Sequence, residues 1–145
     1  MATPSRPECV ILVGLPGAGK STFARARFTS HDYISKDAFP PSARDKQARQ
    51  DAALRASLEA GRSVVVDNTS VTPADRAAII NIAREFGARV VGYYLEISTR
   101  DAVARNEGRE GRAKVPKVAI FTSAKRLVPP SLAEGFDELH TVPSP

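Results

Sequence analysis

The sequence has little of what staples or ligates a protein. Cysteine occurs once, at Cys9, so an internal disulfide is excluded. Its place at the edge of an apolar run suits a small buried hydrophobe. Histidine occurs twice, at His31 and His140, without metal-ligand spacing, and there is no zinc pattern and no Ser-His-Asp arrangement. Long apolar runs are missing: none approaches the length that spans a bilayer, and no membrane-binding helix stands out. The early run Val10-Ile11-Leu12-Val13 is too short for a secretory h-region and leads straight into a glycine-rich loop. A soluble, intracellular, cytoplasmic protein is the expectation. With 145 residues, 42% of them apolar, the chain is long enough for one ordinary core. The formal charge of +5 suits a partner rich in phosphate, nucleotide or nucleic acid.

Residues 1–7 read as a loose tail, and no repeat, low-complexity stretch or linker divides the remainder, so 1–145 is expected to be a single domain. Three apolar runs, at 10–13, 64–66 and 90–95, are continuous rather than alternating. Such runs predict strands buried on both faces, hence a parallel sheet covered by helices. Tyr33-Ile34 and residues 139–142 are candidates for two more strands. Helices are predicted between them: from Lys20 to about Phe28, from about Ser42 to Ala60 with Gly61 as its stop, and from Pro73 behind the N-cap Thr72, ending at Gly87. A fourth follows Ser98, and a fifth starts near Pro116 and carries Val118, Ile120 and Leu127. Strands alternating with helices define an α/β fold.

The glycine-rich loop Gly14-Leu15-Pro16-Gly17-Ala18-Gly19-Lys20-Ser21 fits G-x-x-x-x-G-K-[ST] at every fixed position, after a strand and before a helix. Glycines let the backbone curl so that successive N–H groups point at phosphate oxygens, and the helix start adds its positive dipole end. Lys20 is the candidate for the β- and γ-phosphates, and the Ser21 hydroxyl for magnesium. There is no N-K-x-D segment, and no aspartate is followed by glycine three residues on. A GTPase is therefore disfavoured and ATP is the expected nucleotide.

Two aspartates follow strands, where ligands of open parallel sheets bind. Asp37, after Tyr33-Ile34, has the position of a general base for an attacking hydroxyl, or of a helix cap or loop acid. Asp67 ends the run Val64-Val65-Val66, as a magnesium-holding aspartate does, or as a turn-former does. Asn68 and Thr69 beside it are candidates for substrate contact. Residues 105–114 are basic, glycine-punctuated and poor in apolar side chains. They read either as a solvated loop or as a mobile lid, at about 107–115, whose arginines close on a triphosphate. Arg105, Arg109 and Arg112 are its candidate cations.

With these residues in view, the chain resembles the 5′-hydroxyl polynucleotide kinase domain of phage and eukaryotic end-healing enzymes, over about residues 10–142. The loop with Thr22-Phe23 looks like the animal version, and Ser35-Lys36-Asp37 stands where the family has Asn-Arg-Asp, whose Asp is the base. Val66-Asp67-Asn68-Thr69 resembles the family's Asp-Asn-Thr-Asn segment, and Arg105-Asn106 with Arg109 its lid. Pro129-Pro130-Ser131-Leu132-Ala133-Glu134-Gly135-Phe136 resembles the Pro-Thr-Leu-Ala-Glu-Gly-Phe segment of the animal kinases. The resemblance implies a P-loop kinase fold, a five-stranded parallel sheet of order 2-3-1-4-5 with helices on both faces. It also implies ATP as donor, bound by the loop, Thr22 and the lid arginines, and a nucleic acid 5′-OH as acceptor. Asp37, Lys20 and Arg109 become the expected catalytic residues.

The departures lie on the acceptor side: Ser35-Lys36 for Asn-Arg, Pro40 for the phage enzyme's acceptor-binding arginine, and Ser70 for the last Asn. No Asp-x-Asp-Gly-Thr segment is present, so no phosphatase activity is expected of this chain, and any partner domain is expected on a separate polypeptide. The alternatives to a polynucleotide kinase are a small-molecule kinase on the same scaffold and a nucleotide-gated binding module with little turnover.

Overall fold

The computed structural model describes residues 6–111 and 114–143. The strands are β1 (Glu8–Val13), β2 (Asp32–Ile34), β3 (Val64–Asp67), β4 (Arg89–Glu96) and β5 (Glu138–Pro143). They form one sheet of order β2-β3-β1-β4-β5, with every neighbouring pair parallel. This is the sheet and order that the resemblance implies. The continuous β-branched runs sit where both faces are covered, and Val10, Ile11, Leu12, Val13, Val64 and Val66 are fully buried. β5 is an edge strand and mostly exposed, which explains its weak apolar signal.

The helices are α1 (Lys20–Arg27), α2 (Lys46–Glu59), α3 (Pro73–Glu85), α4 (Thr99–Glu107) and α5 (Lys117–Arg126). Successive strand residues alternate between two cores. Ile11, Val13, Val64 and Val66 pack against Leu54 and Leu58 of α2 and Ile79, Ile80 and Ile82 of α3. On the other face, Val10, Leu12, Val65, Val91 and Tyr93 pack against Ala24 of α1 and Phe28. Each such side chain, fully buried, contributes about 1.5–3 kcal/mol. A smaller cluster joins Leu15 to Ala102 of α4 and Ile120 of α5, and so ties the glycine loop to both helices. Cys9 is a free, buried thiol, pushed up to about 12 first by burial and then by Glu8.

The predicted cap holds at α3, where Thr72 Oγ1 accepts from Asp75 N at 3.2 Å, and at α4 Ser98 Oγ likewise accepts from Asp101 N at 3.1 Å. Gly87 takes φ +67 after α3, the left-handed stop that glycine supplies. One boundary differs from expectation. α2 begins at Lys46 rather than near Ser42, because Asp45 is its N-cap and accepts from Ala48 N at 3.1 Å. On α5 only Ile120 is buried, while Val118 is 67% exposed. Two residues from Ile120 on a helix, Val118 faces away from the core. Among the described residues, no helix is long and apolar enough to cross a membrane.

Candidate functional site

The β1–β3 register sets Leu12 beside Asp67, so β1 and β3 deliver the glycine loop and Asp67 to the same edge of the sheet. The loop's root is fixed there by Gly14 N donating to Thr69 O at 3.0 Å. Gly17 and Gly19 take φ +91 and +90, a region that L side chains rarely enter. A Cβ on Gly17 would lie 2.7 Å from Ala102 O, so glycine there also lets α4 approach. Gly19 precedes α1, whose N-terminus has no side-chain cap, the arrangement that leaves helix N–H groups for an anion.

Lys20 is the buried cation of the site. Its Nζ donates to Gly14 O at 3.0 Å and Leu15 O at 2.9 Å. Burial lowers its pKa to about 8, with Arg109 acting in the same direction and Asp67 and Asp37 opposing. Asp67 Oδ2 accepts from Ser21 Oγ at 2.8 Å and from the Tyr33 hydroxyl. Burial first, then the bond to Asp67, push the Tyr33 hydroxyl up, so it stays a donor. The site's fit to magnesium rests on Ser21 and Asp67. Both offer hard oxygen donors, and their 2.8 Å separation is close to the roughly 3 Å between adjacent corners of an octahedron with bonds of about 2.1 Å.

Lys20, Ser21 and Asp67 line a cleft of about 700 Å³ that also contains Thr22, Asp37, Asn68, Thr69 and Arg109. Asp37 arrives on a short 3-10 turn, Lys36–Ala38, capped by Ser35, whose Oγ accepts from Asp37 N at 3.2 Å. Asn68 lines the cleft but uses its carboxamide for bridging: Oδ1 accepts from Lys36 N at 3.0 Å, and Nδ2 donates to Gln50 Oε1 at 2.6 Å. Arg105 lies behind the loop, its Nη1 3.5 Å from Ala18 O. Arg112 lies outside the described residues. The segment after α4 is pinned at both ends by buried Asn106, which donates to Val115 O at 2.6 Å and accepts from Val115 N at 2.9 Å. Val115 and Ala119 and Ser123 of α5 form the wall beside Arg109.

Sequence reasoning did not single out Arg25, Tyr33, Gln50 or Arg76. Arg25 lines the cleft one helical turn after Ser21, and that i, i+4 spacing was the available signal. Tyr33 looked like an ordinary strand residue, and Gln50 an ordinary surface-helix residue. Nothing local marks either one as the partner of Asp67 or Asn68. Neither histidine joins the site: His31 pairs with Glu8 at 2.6 Å and His140 stacks on Tyr93.

A β2-β3-β1-β4-β5 parallel sheet with its glycine loop at the end of the central strand is the P-loop kinase fold. The chain belongs to the family described as AAA domain, whose model matches residues 9–130. A bifunctional polynucleotide phosphatase/kinase of Schizosaccharomyces pombe is 30% identical over 141 residues, covering 94% of this chain and 33% of that protein. The chain spans about a third of the length of the curated relatives it matches. Among solved structures, a gluconokinase from Sinorhizobium meliloti 1021 aligns with TM-score 0.67 at 21% identity, covering 97% of this chain and 85% of that one. A fungal RNA kinase aligns with TM-score 0.69 at 14% identity, covering 94% and 76%. The resemblance to the polynucleotide kinase domain is borne out by the curated relative, and the fold by the two solved structures.

Proposed function

We propose that this chain transfers the γ-phosphate of ATP to a hydroxyl, and that the hydroxyl is the 5′-OH end of DNA or RNA. The observation that carries the reading is that Asp37, Lys20 and Arg109 line one cleft with the glycine loop. A binding loop alone needs no carboxylate at the acceptor mouth.

In this reading the loop N–H groups and Thr22 hold the triphosphate, and Lys20 and Arg109 face the oxygens where charge develops. Asp37 positions the acceptor hydroxyl and takes its proton as the new O–P bond forms and the bond to the β-phosphate oxygen breaks. ADP leaves with its new charge held by Lys20 and the loop. Ser21 and Asp67 would hold magnesium, which would supply neutralising charge to the triphosphate. Arg109 belongs to a lid that Asn106 hinges at both ends, and Arg105 stiffens the loop from behind. Arg112 is assigned to the same lid from its sequence position. Asn68 and Thr69 complete the acceptor mouth, with Asn68 acting through the Lys36 backbone it holds. The single kinase domain and the nucleic acid acceptor are supported by the likeness to the curated relative and by the positive charge.

A small-molecule hydroxyl is the second reading, favoured by Pro40 at the position where the phage enzyme of the resembled family has an acceptor-binding arginine. Transfer of labelled γ-phosphate from ATP to a panel of 5′-OH oligonucleotides, nucleosides and sugars separates the two. Labelled oligonucleotide is the expected result, and label only on a metabolite overturns the nucleic acid acceptor. ATP binding with no label on any acceptor would leave a nucleotide-gated binding module.

A further inference from the structure

The 129–136 segment is not part of the cleft, yet it holds a side chain buried beneath it. Arg76 of α3 is fully buried and is the largest such side chain among the described residues. Its guanidinium forks onto Glu134, Nε to Oε1 at 2.7 Å and Nη2 to Oε2 at 3.1 Å. The third nitrogen, Nη1, donates to the backbone oxygen of Ser70 at 2.9 Å. Ser70 is buried and takes φ +46, a left-handed conformation that serine adopts only under constraint. Glu134 is fixed in turn, because its Oε2 accepts from Ser131 N at 2.8 Å in a capping box over the turn Leu132–Glu134.

The loop between β3 and α3 is therefore held at three successive backbone oxygens. Thr69 O receives Gly14 N at 3.0 Å, Ser70 O receives Arg76, and Val71 O receives Val128 N at 2.9 Å. Asp67, Asn68 and Thr69 stand at the root of that loop and reach the cleft. A left-handed residue held by one guanidinium arm sets the direction in which the chain leaves Asp67, and a planar fork is the group that fixes two partners at once.

We propose that Arg76 and Glu134 are positioning residues of the site: through Ser70 O, the 129–136 segment sets the backbone that aims Asp67, Asn68 and Thr69 at the bound substrates. The transfer arm of the test rests on the kinase reading above, and the binding arm does not.

Arg76→Lys keeps a cation for Glu134 but cannot serve both Glu134 and Ser70 O. Glu134→Gln keeps size and acceptor oxygen while removing the charge, and it secures a folded variant if Arg76→Lys does not fold. Leu132→Ser, at a 60% exposed position of the same segment, is the control. All are assayed well below their unfolding temperatures, with rates expressed per folded molecule. The expected result is kcat for transfer lowered about tenfold or more by Arg76→Lys, with KM for ATP within about twofold and Leu132→Ser at the wild-type rate. Calorimetry is expected to show unchanged ATP affinity without magnesium and a reduced gain on adding it. An unchanged kcat and an unchanged magnesium gain in the folded variants would reduce the pair to a fold staple and overturn the proposal. If the wild type phosphorylates no acceptor, the kinase reading fails by itself, and the magnesium gain still decides this one.

Discussion

Replacing Lys20 by methionine is expected to make the empty protein more stable while destroying its affinity for ATP. The ammonium is buried, and desolvation brings it from its ordinary 10.5 to about 8. At about 1.4 kcal/mol per pH unit, holding it charged in the folded protein near neutrality costs about 3 kcal/mol. Methionine has a similar reach and no charge to desolvate. It abandons the bonds from Nζ to Gly14 O and Leu15 O, which returns about 1–2 kcal/mol. The net expectation is a gain of about 1–2 kcal/mol, or roughly 4 °C in Tm.

The pH dependence gives the sharper test. A base whose folded pKa is depressed is charged in the unfolded chain over a window where it is neutral in the folded one. Between about pH 8 and 10.5 the unfolded state then binds more protons, so the wild type gains stability with rising pH relative to the methionine variant. Below pH 8 the variant's advantage should be largest, and by pH 10.5 it should have vanished or reversed. Urea unfolding of both proteins at pH 7, 8, 9 and 10 measures this directly, with calorimetry for ATP alongside. A variant less stable than wild type at pH 7, or a difference flat from pH 7 to 10, would refute the reasoning. A variant that still binds ATP would remove Lys20 from the site.

Asp37→Asn is expected to leave ATP affinity within about twofold and to lower transfer by about 10²–10⁴-fold, and retained turnover in the labelled-phosphate assay would remove the base assignment. Arg109→Ala should lower kcat by about tenfold or more with a smaller effect on ATP affinity, measured by the same assay, and an unchanged rate would reduce the segment to a surface loop. Gly17→Ala places a Cβ 2.7 Å from Ala102 O at φ +91 and should destabilise by about 1–3 kcal/mol in urea unfolding, with a wild-type curve contradicting the close approach of α4.

The central sheet was legible because its apolar runs are continuous and covered on both faces, which is the signature of buried parallel strands. The edge strands were harder: β2 has only Asp32–Ile34, and β5 is mostly exposed. The glycine loop was legible residue by residue, because its backbone conformation admits few side chains. What the sequence could not disclose were partners far apart in the chain. Tyr33 meets Asp67 only because β2 and β3 are neighbours, and Gln50 meets Asn68 only because α2 folds back over the loop. The 129–136 motif was recognised, but its physical use was not. Glu134 acts 58 residues from Arg76, and Phe136 lies over Gly92, where a Cβ would approach its ring to 2.7 Å.

The positions that depart from the resembled family gain a physical reading from the same geometry. At Lys36 the fold uses the backbone N–H, which Asn68 holds, so the side chain there is free to differ. Ser35 contributes a hydroxyl that caps the Asp37 turn, a task that an asparagine oxygen performs equally well. At Ser70 the fold uses the carbonyl oxygen and a left-handed φ, which asparagine enters more readily than serine. The Arg76 fork holding that carbonyl is what offsets the difference. Three of the departures therefore leave the architecture of the acceptor mouth intact. Pro40 is different in kind: it has no donor and no charge to offer a phosphate. In the proposed reaction the acceptor must then be gripped by side chains other than one at position 40, and Arg25, on the cleft wall one turn beyond Ser21, is a cation that lines the same cleft.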